Sequence, residues 1–536
     1  MKKLKKIPYF KAPQIYSFRK LISYVNEEYR EKTAFSYFLG DKLYQHTYAE
    51  LVQDVKGLAT ALLEKGYKKG DKIAVIGKNS YLWVVSYLAT MCSGNIVVPL
   101  DKDLSEETHK KLLKDCSAKA IIYDDDYTYF EGSKDFDALP MRKRVTRMIS
   151  KGIDMYKEDS KLYDAVEVDS KTTAAIIYTS GTTGVPKGVM LSQNSIVLNG
   201  VHGNEFIALK GSTVLLLPLH HTYAICCSLL CPMISGTRIH INSNLKNVLK
   251  DIQTAKPYYL AVVPLYVESF LKSIWSSAKK SGKEEILKNL VKHSNRLRKM
   301  GFDMRKTLFK SVNKAFGGKL EIIVSGGAPA PLYVFEEFDN FGIKILEGYG
   351  ITECSPGVAF NRAEQRKIGS VGQVIRNNEV KIFDMDDNGE GEICVRGDAV
   401  MLGYYNNKKA TDEVLEDGWF ATGDIGYLDD DGFLYITGRK KNLIITATGK
   451  NIHPEELEEL ITTNVDGILE IIVSGDEKYI YAEVFRDPDK KNISEEDIKK
   501  GIDEFNKTLP VYKRINQVTF RDTEFEKTTT KKIKRH

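Results

Sequence analysis

Tyr178-Thr-Ser-Gly-Thr-Thr-Gly-Val-Pro-Lys-Gly188 follows directly on the apolar run AAIIYT at residues 174–179. Four Ser/Thr hydroxyls, three glycines and one lysine fall within eleven residues. Glycines let a backbone approach an anion closely, and amides and hydroxyls donate to phosphate-type oxygens. Lys187 adds a mobile positive charge. The stretch is not a Walker A loop, because Pro186 stands five residues after Gly181, where that motif needs glycine. A loop of this composition at the end of a buried strand predicts an α/β protein with an anion cradle at the strand's C-terminal end.

Working outward, short apolar runs recur on both sides of this loop. KIAVI (72–76), AIIYD (120–124), TVLLLPL (213–219), YLAVVPL (259–265), LEIIVSG (320–326) and IKILEGY (343–349) all read as buried strands. Helical patterns lie between most of them, such as the one opened by the capping box Thr47-Tyr-Ala-Glu50. Continuous Val/Ile/Leu runs alternating with helices predict parallel sheet covered on both faces. Residues 270–316 are Lys/Arg-rich and helical in pattern, which predicts a surface insertion. From Glu379 onward short strands with turn signals take over, including an Asp-Asn-Gly hairpin within 379–397. A smaller α+β unit follows Gly438. The expected division is 1–437 and 438–536, with a β-rich part over 372–437.

The 536 residues carry formal net charge +6, unevenly placed: +7 over residues 1–20, +5 over 527–536, and −6 over the rest. A mildly acidic body with two basic ends argues against a nucleic-acid binder, which carries its basic face within a folded domain. The basic N-terminus lacks a following apolar core and is no secretory signal. Seven cysteines are too few for a disulfide framework. Cys226, Cys227 and Cys231 therefore read as buried small groups in a reducing, cytoplasmic compartment. The uncharged stretches 79–100 and 211–237 are interrupted by Gly, Pro or His and read as buried elements rather than membrane spans.

Further motifs occur in a fixed order. They are Gly348-Tyr-Gly-Ile-Thr-Glu353, Gly418-Trp-Phe-Ala-Thr-Gly-Asp424, Gly438-Arg-Lys-Lys441, Gly449-Lys-Asn-Ile-His-Pro-Glu-Glu-Leu-Glu458 and Lys527-Thr-Thr-Thr-Lys-Lys-Ile-Lys-Arg535. With the 178–188 loop, they make the sequence resemble the adenylate-forming superfamily of acyl-CoA synthetases, luciferases and peptide-synthetase adenylation domains. The resemblance implies a large N-terminal domain of layered α/β subdomains plus a β-rich subdomain, and a small mobile α+β lid at the C-terminus. It implies ATP and Mg²⁺ as cofactors, CoA as thiol acceptor, and two steps: acyl-adenylate formation with pyrophosphate release, then displacement of AMP by a thiol.

The same resemblance implies residue roles. Thr179, Ser180, Gly181, Thr182, Thr183, Gly184 and Lys187 hold the β- and γ-phosphates. Glu353 binds Mg²⁺, with Thr182 beside it, and Thr352 contacts the α-phosphate. Gly327, Ala328, Glu347, Gly348 and Tyr349 line the adenine. Asp424 and Arg439 hold the ribose. His221, favoured over His220 by its spacing from Pro218, stands at the carboxylate. Lys441 is the lid hinge, and Gly449 meets the pantetheine thiol. Lys532 is the candidate catalytic lysine between the two reacting anions, with Lys531, which stands where the family pattern has glycine, as the alternative. Like charges about 4 Å apart repel by roughly 4 kcal/mol at an effective dielectric near 20, so cations must offset that repulsion.

The helical insertion and the loop Leu443-Ile-Ile-Thr-Ala-Thr-Gly-Lys450 resemble the long-chain fatty acyl-CoA synthetase branch. A medium- or long-chain fatty acid is the expected substrate. A carrier-protein phosphopantetheine is the alternative acceptor, and a non-catalytic regulator on the same fold the alternative of another class. The basic stretches at residues 1–20 and 141–151 lead to the expectation of peripheral contact with the inner membrane surface.

Overall fold

The computed structural model describes residues 7–179, 186–242, 244–376, 378–446, 451–527 and 533–535. Strands Lys72–Ile76, Ile96–Leu100 and Ala120–Tyr123 lie side by side and parallel in a seven-stranded sheet. All five residues of Ile96–Leu100 are buried, as a parallel strand covered on both faces requires. The uncharged stretch at 79–100 is explained by burial, since helix Tyr81–Cys92 is hidden along almost its whole length. Among the described residues no helix is long and apolar enough to cross a membrane.

Strand Thr173–Thr179 runs parallel to Ile96–Leu100 and then pairs antiparallel with Lys187–Ser192. The Gly/Ser/Thr stretch therefore joins the two strands of a hairpin, with Thr179 opposite Lys187. The second strand opens on Pro-Lys-Gly, a turn signal that hides its strand character in the sequence.

Strands Tyr259–Val262, Ile322–Ser325 and Lys344–Gly350 are parallel neighbours in a ten-stranded sheet. Two strands are shorter than the pattern predicts. At 259–265 the sheet ends at Val262, because Pro264 opens helix Pro264–Lys280. At 213–219 only Ser212–Leu215 is strand, and it belongs to a separate four-stranded sheet. Pro218 has no amide to extend a ladder.

The β-rich stretch is not a sheet of its own. Gly357–Phe360 pairs antiparallel with Lys344–Gly350, and pairing continues through Gly372–Val374, Phe433–Arg439, Trp419–Leu428, Gly391–Gly397 and Asn378–Phe383. The Asp-Asn-Gly hairpin is present, with Gly389 at φ +79° closing it.

The helical insertion lies on the surface, and one side of it covers the sheet. Its helices run Pro264–Lys280, Glu284–Lys299, Arg305–Leu308 and Lys310–Ala315. Phe270, Leu271, Ile274, Phe309 and Phe316 are buried with Val334, Phe335 and Phe338 in one core over the parallel strands.

The chain after Gly438 forms an α+β unit. Helix Pro454–Asn464, strands Ile468–Gly475, Ile480–Arg486 and Gln517–Arg521, and helix Glu495–Asn506 enclose a core drawn from residues 444–520 alone. Ser494 caps the second helix through a capping box with Asp497. This unit meets the rest of the chain at His453, whose Nε2 lies 3.1 Å from Glu390 Oε2, and at the 2.8 Å pair Lys272–Asp489.

From residue 7 onward the N-terminal arm is exposed on one side but tied to the body by hydrogen bonds. Arg362 donates to the carbonyls of Ile7 and Pro8 at 2.8 and 2.6 Å, and the Phe10 amide donates to Glu205 O at 3.0 Å. Arg19 donates to the carbonyls of Cys92 and Tyr163. In the other basic stretch, Met141, Val145 and Ile149 are buried, while Lys143 and Lys151 pair with Glu131 and Glu64.

Candidate active site

Asp424 and Arg439, on an antiparallel pair of strands, meet Tyr349 at the C-terminal end of the parallel strand Lys344–Gly350. Strand Trp419–Leu428 pairs with Phe433–Arg439 so that Asp424 faces Arg439. The Asp424 carboxylate is almost wholly buried, with Arg439 Nε 2.6 Å from Oδ1 and the Tyr349 hydroxyl donating to Oδ2 at 2.5 Å. Tyr349 comes from the end of strand Lys344–Gly350. Burial and the facing carboxylate push its phenol well above the ordinary value, so it acts as a donor here.

Glu347 lies two residues earlier and accepts from the Ala330 amide at 3.4 Å. Burial pushes its carboxyl up to about 7. Gly348 has no room for a side chain: a Cβ there would lie 2.6 Å from the Phe360 ring. Gly327, at φ +86°, turns the chain out of strand Ile322–Ser325, with Ala328 following it. Glu347, Gly348, Tyr349, Gly327 and Ala328 are thus contributed by the ends of two adjacent parallel strands.

Lys187 and Glu353 meet through a residue that the sequence motifs did not mark. Tyr404 donates its hydroxyl to Glu353 Oε1 at 2.8 Å, and its ring lies 4.9 Å beneath Lys187 Nζ. Strand Gly403–Tyr404 pairs with Lys187–Ser192, Tyr405 N donates to Gly188 O, and Met401 N donates to Glu353 O. Segment 401–405 therefore stitches the lysine strand to the 3₁₀ turn Thr352–Cys354. The only hint in the sequence is Gly-Tyr-Tyr, which reads as ordinary core.

His220 and His221 follow Pro218, with ring centroids 4.0 Å apart. His220 Nε2 lies 3.6 Å from Asp101 Oδ2. Burial pushes both imidazoles below their ordinary value, with Asp101 opposing the effect at His221. Beyond them the Tyr223 hydroxyl reaches the carbonyls of Val262 and Val324 at 3.1 Å each, under Gly326. The surrounding core is apolar and includes Phe206, Leu217, Ala224, Val263 and Leu346.

Lys441 lies in the 3₁₀ turn Lys440–Asn442 directly after Arg439. Burial and the neighbouring Arg439 and Arg535 push its ammonium down. Seven expected site residues, Ser180, Gly181, Thr182, Thr183, Gly184, Gly449 and Lys532, lie outside the described residues. The chain on either side of the last is held: Lys527 pairs with Glu470, and Arg535 with Glu458.

The donor set suits a nucleotide and a hard cation. Among the described residues no three His, Cys, Asp or Glu side chains gather to cage a metal. One carboxylate completed by phosphate oxygens is the arrangement Mg²⁺ favours, and Glu353 beside Lys187 can supply it.

A model of the AMP-binding enzyme family matches residues 23–405. The chain belongs to the AMP-binding enzyme family. Among relatives of this AMP-binding enzyme, the long-chain-fatty-acid–CoA ligase FadD15 of Mycobacterium bovis is 31% identical over 473 residues, covering 83% of this chain and 77% of that protein. The long-chain-fatty-acid–CoA ligase ACSBG1 of Rattus norvegicus is 29% identical, covering 84% and 68%. Two solved structures share the fold. The anthranilate CoA ligase AuaEII in complex with anthranoyl-AMP has a TM-score of 0.77 at 20% identity, covering 97% of this chain and 96% of that one. ATP-bound MatB from Rhodopseudomonas palustris has the same score at 23% identity, covering 96% and 97%.

Proposed function

We propose that this AMP-binding enzyme is an ATP- and Mg²⁺-dependent ligase that activates a fatty acid as its acyl-adenylate and passes the acyl group to CoA. The observation that carries the reading is the Tyr349–Asp424–Arg439 constellation, with Glu353 four residues after Tyr349 and joined through Tyr404 to Lys187. Asp424 is an acceptor for two neighbouring hydroxyls, as a ribose presents, and Arg439 holds its charge in place. Lys187, with the hydroxyls of the 178–188 stretch, binds the leaving pyrophosphate, and Glu353 holds the cation that offsets the charge of the phosphates. Thr352 lies at the α-phosphate, His221 and the apolar core behind Tyr223 take the acid, and Lys532 approaches from the C-terminal unit. Rotation about Lys441 then brings Gly449 to the thiol.

A long apolar chain suits that core, since each buried CH₂ contributes about 0.8 kcal/mol. The names of the relatives favour fatty acids and CoA over an acyl carrier protein. The test is pyrophosphate release by the purified chain with ATP, Mg²⁺ and acids from acetate to palmitate, followed by addition of CoA. A rise with chain length and CoA-dependent AMP release are expected. Release with aromatic or short acids alone sinks the fatty-acid assignment, and release with none sinks the ligase.

A further inference from the structure

Helix Glu284–Lys299 ends in a tight turn that carries three large apolar side chains into solvent. The Phe302 amide donates to Leu297 O at 3.0 Å and the Gly301 amide to Arg298 O at 2.9 Å, with Gly301 at φ +89°. This pair of bonds is the Schellman cap, whose residue after the glycine normally folds back over the helix. Here Phe302 remains 61% exposed, and its neighbours Met300 and Met304 are 70% and 42% exposed. Three such residues within five positions are not the scattered apolar exposure of an ordinary surface.

The charge around the turn is one-sided. Residues 291–320 hold nine Lys/Arg and one acid, a net +8 on a chain whose total is +6. Arg298, Arg305 and Lys306 are neutralised by Asp339, Asp303 and Glu321. Lys292, Arg296, Lys299, Lys310 and Lys314 are different: among the described residues none has a carboxylate within 4 Å, and all five are exposed. Lys292, Arg296 and Lys299 fall at i, i+4 and i+7, one face of the helix that leads into the apolar turn.

We propose that the turn at 300–304 with its basic flank is a docking surface for an anionic lipid bilayer. Apolar tips that enter the headgroup boundary, ringed by unpaired cations, are what such a surface attracts. A protein partner fits less well. The apolar part is a convex tip of three side chains, short of the roughly 800 Å² per partner of a stable interface. The basic stretch at 141–151 is a poorer surface, since Lys143 and Lys151 are already paired and Met141, Val145 and Ile149 are buried. A cleft of about 410 Å³ opens beside the turn, lined by Asp303, Arg305, Lys306, Phe206 and Tyr258. The docked turn sets its mouth close to the bilayer. The inference stands apart from the proposed reaction and needs no turnover to be tested.

The full chain is sedimented with vesicles of phosphatidylcholine alone or with about a quarter phosphatidylglycerol, across a salt series. Binding to the anionic vesicles only, weakening as salt rises, is expected. A variant with Met300→Ser, Phe302→Ser and Met304→Ser lowers the partition coefficient about tenfold, as does Lys292→Glu with Lys299→Glu. Phe302→Trp retains binding and shifts its emission to the blue on vesicles. Thermal unfolding of each variant alone separates lost docking from lost folding. Absence of wild-type binding, equal binding by the triple variant, or self-association that the triple variant abolishes without any vesicle binding would each overturn the proposal.

Discussion

Tyr404 shows how one side chain serves two charged neighbours with different parts of itself: its hydroxyl holds the Glu353 carboxylate, and its ring seats Lys187. Phenylalanine at 404 keeps the seat and deletes the hydrogen bond. One hydrogen bond to a charged group is worth about 1.5–3 kcal/mol, part of which a water recovers. Tyr404→Phe should therefore raise the Mg²⁺ concentration for half-maximal pyrophosphate release about three- to tenfold, with the KM for ATP changed less. A titration of activity against Mg²⁺ at saturating ATP reads this directly, and an unchanged midpoint refutes it. Glu347 makes a pH prediction. Its buried carboxyl titrates at about 7 against an ordinary value of 4.5. Between those values the folded chain binds more protons than the unfolded chain, so this group's contribution to stability falls as pH rises through the window. Below about pH 4.5 the difference vanishes, and above about 7 the full cost stands, on the order of 3 kcal/mol. Glu347→Gln removes the charge and keeps an acceptor for Ala330. The variant should gain in urea midpoint over the wild type at pH 8 and gain little at pH 5. An equal gain at both values would show that desolvation of the charge is not the cause.

At the scale of elements, what was legible in the sequence was what local chemistry dictates. The capping box at Thr47 and the Asp-Asn-Gly hairpin stand where the residues placed them. What escaped was set by distant partners. Lys187–Ser192 is a strand because Thr173–Thr179 and Gly403–Tyr404 flank it. One side of the helical insertion is a cover because phenylalanines spaced along it find a sheet face that no local pattern announces. The candidate site divides in the same way. Asp424, Arg439, Glu353 and Lys187 could be named from motifs, but Tyr404, which joins two of them, carries no motif. The C-terminal segment around Lys532 is fastened at both ends, with Lys527 on Glu470 and Arg535 on Glu458 and the Val473 carbonyl. Deleting residues 532–536 removes the Arg535 anchor along with the lysine. The single exchange Lys532→Ala separates them: pyrophosphate release should fall at least a hundredfold while the unfolding temperature stays within about 2 °C. A drop in unfolding temperature equal to that of the deletion would make the lysine structural.

At the scale of the molecule, two bodies of unlike core meet across a short connection. The strand Phe433–Arg439 belongs to the ten-stranded sheet, and the core of residues 444–520 is closed on itself. Between them lie only the turn Lys440–Asn442 and Leu443, whose amide returns to Arg439 O at 3.1 Å. Among the described residues, the ion pairs between the two bodies are His453 with Glu390 and the exposed pair Lys272–Asp489, while Lys440 of the connecting turn pairs with Glu392. The exposed pair is worth at most about 1 kcal/mol, so the contact that rotation about the connection must give up is mainly the one around buried His453. Proline at 441 fixes φ near −65°, a value a 3₁₀ turn accepts and a large rotation does not. If the two half-reactions use two orientations of the C-terminal unit, Lys441→Pro must split them. Pyrophosphate exchange should stay within about threefold of the wild type while CoA-thioester formation falls tenfold or more. Measured on one preparation, parallel loss of both would place Lys441 in the chemistry common to the two steps and remove the hinge from the mechanism.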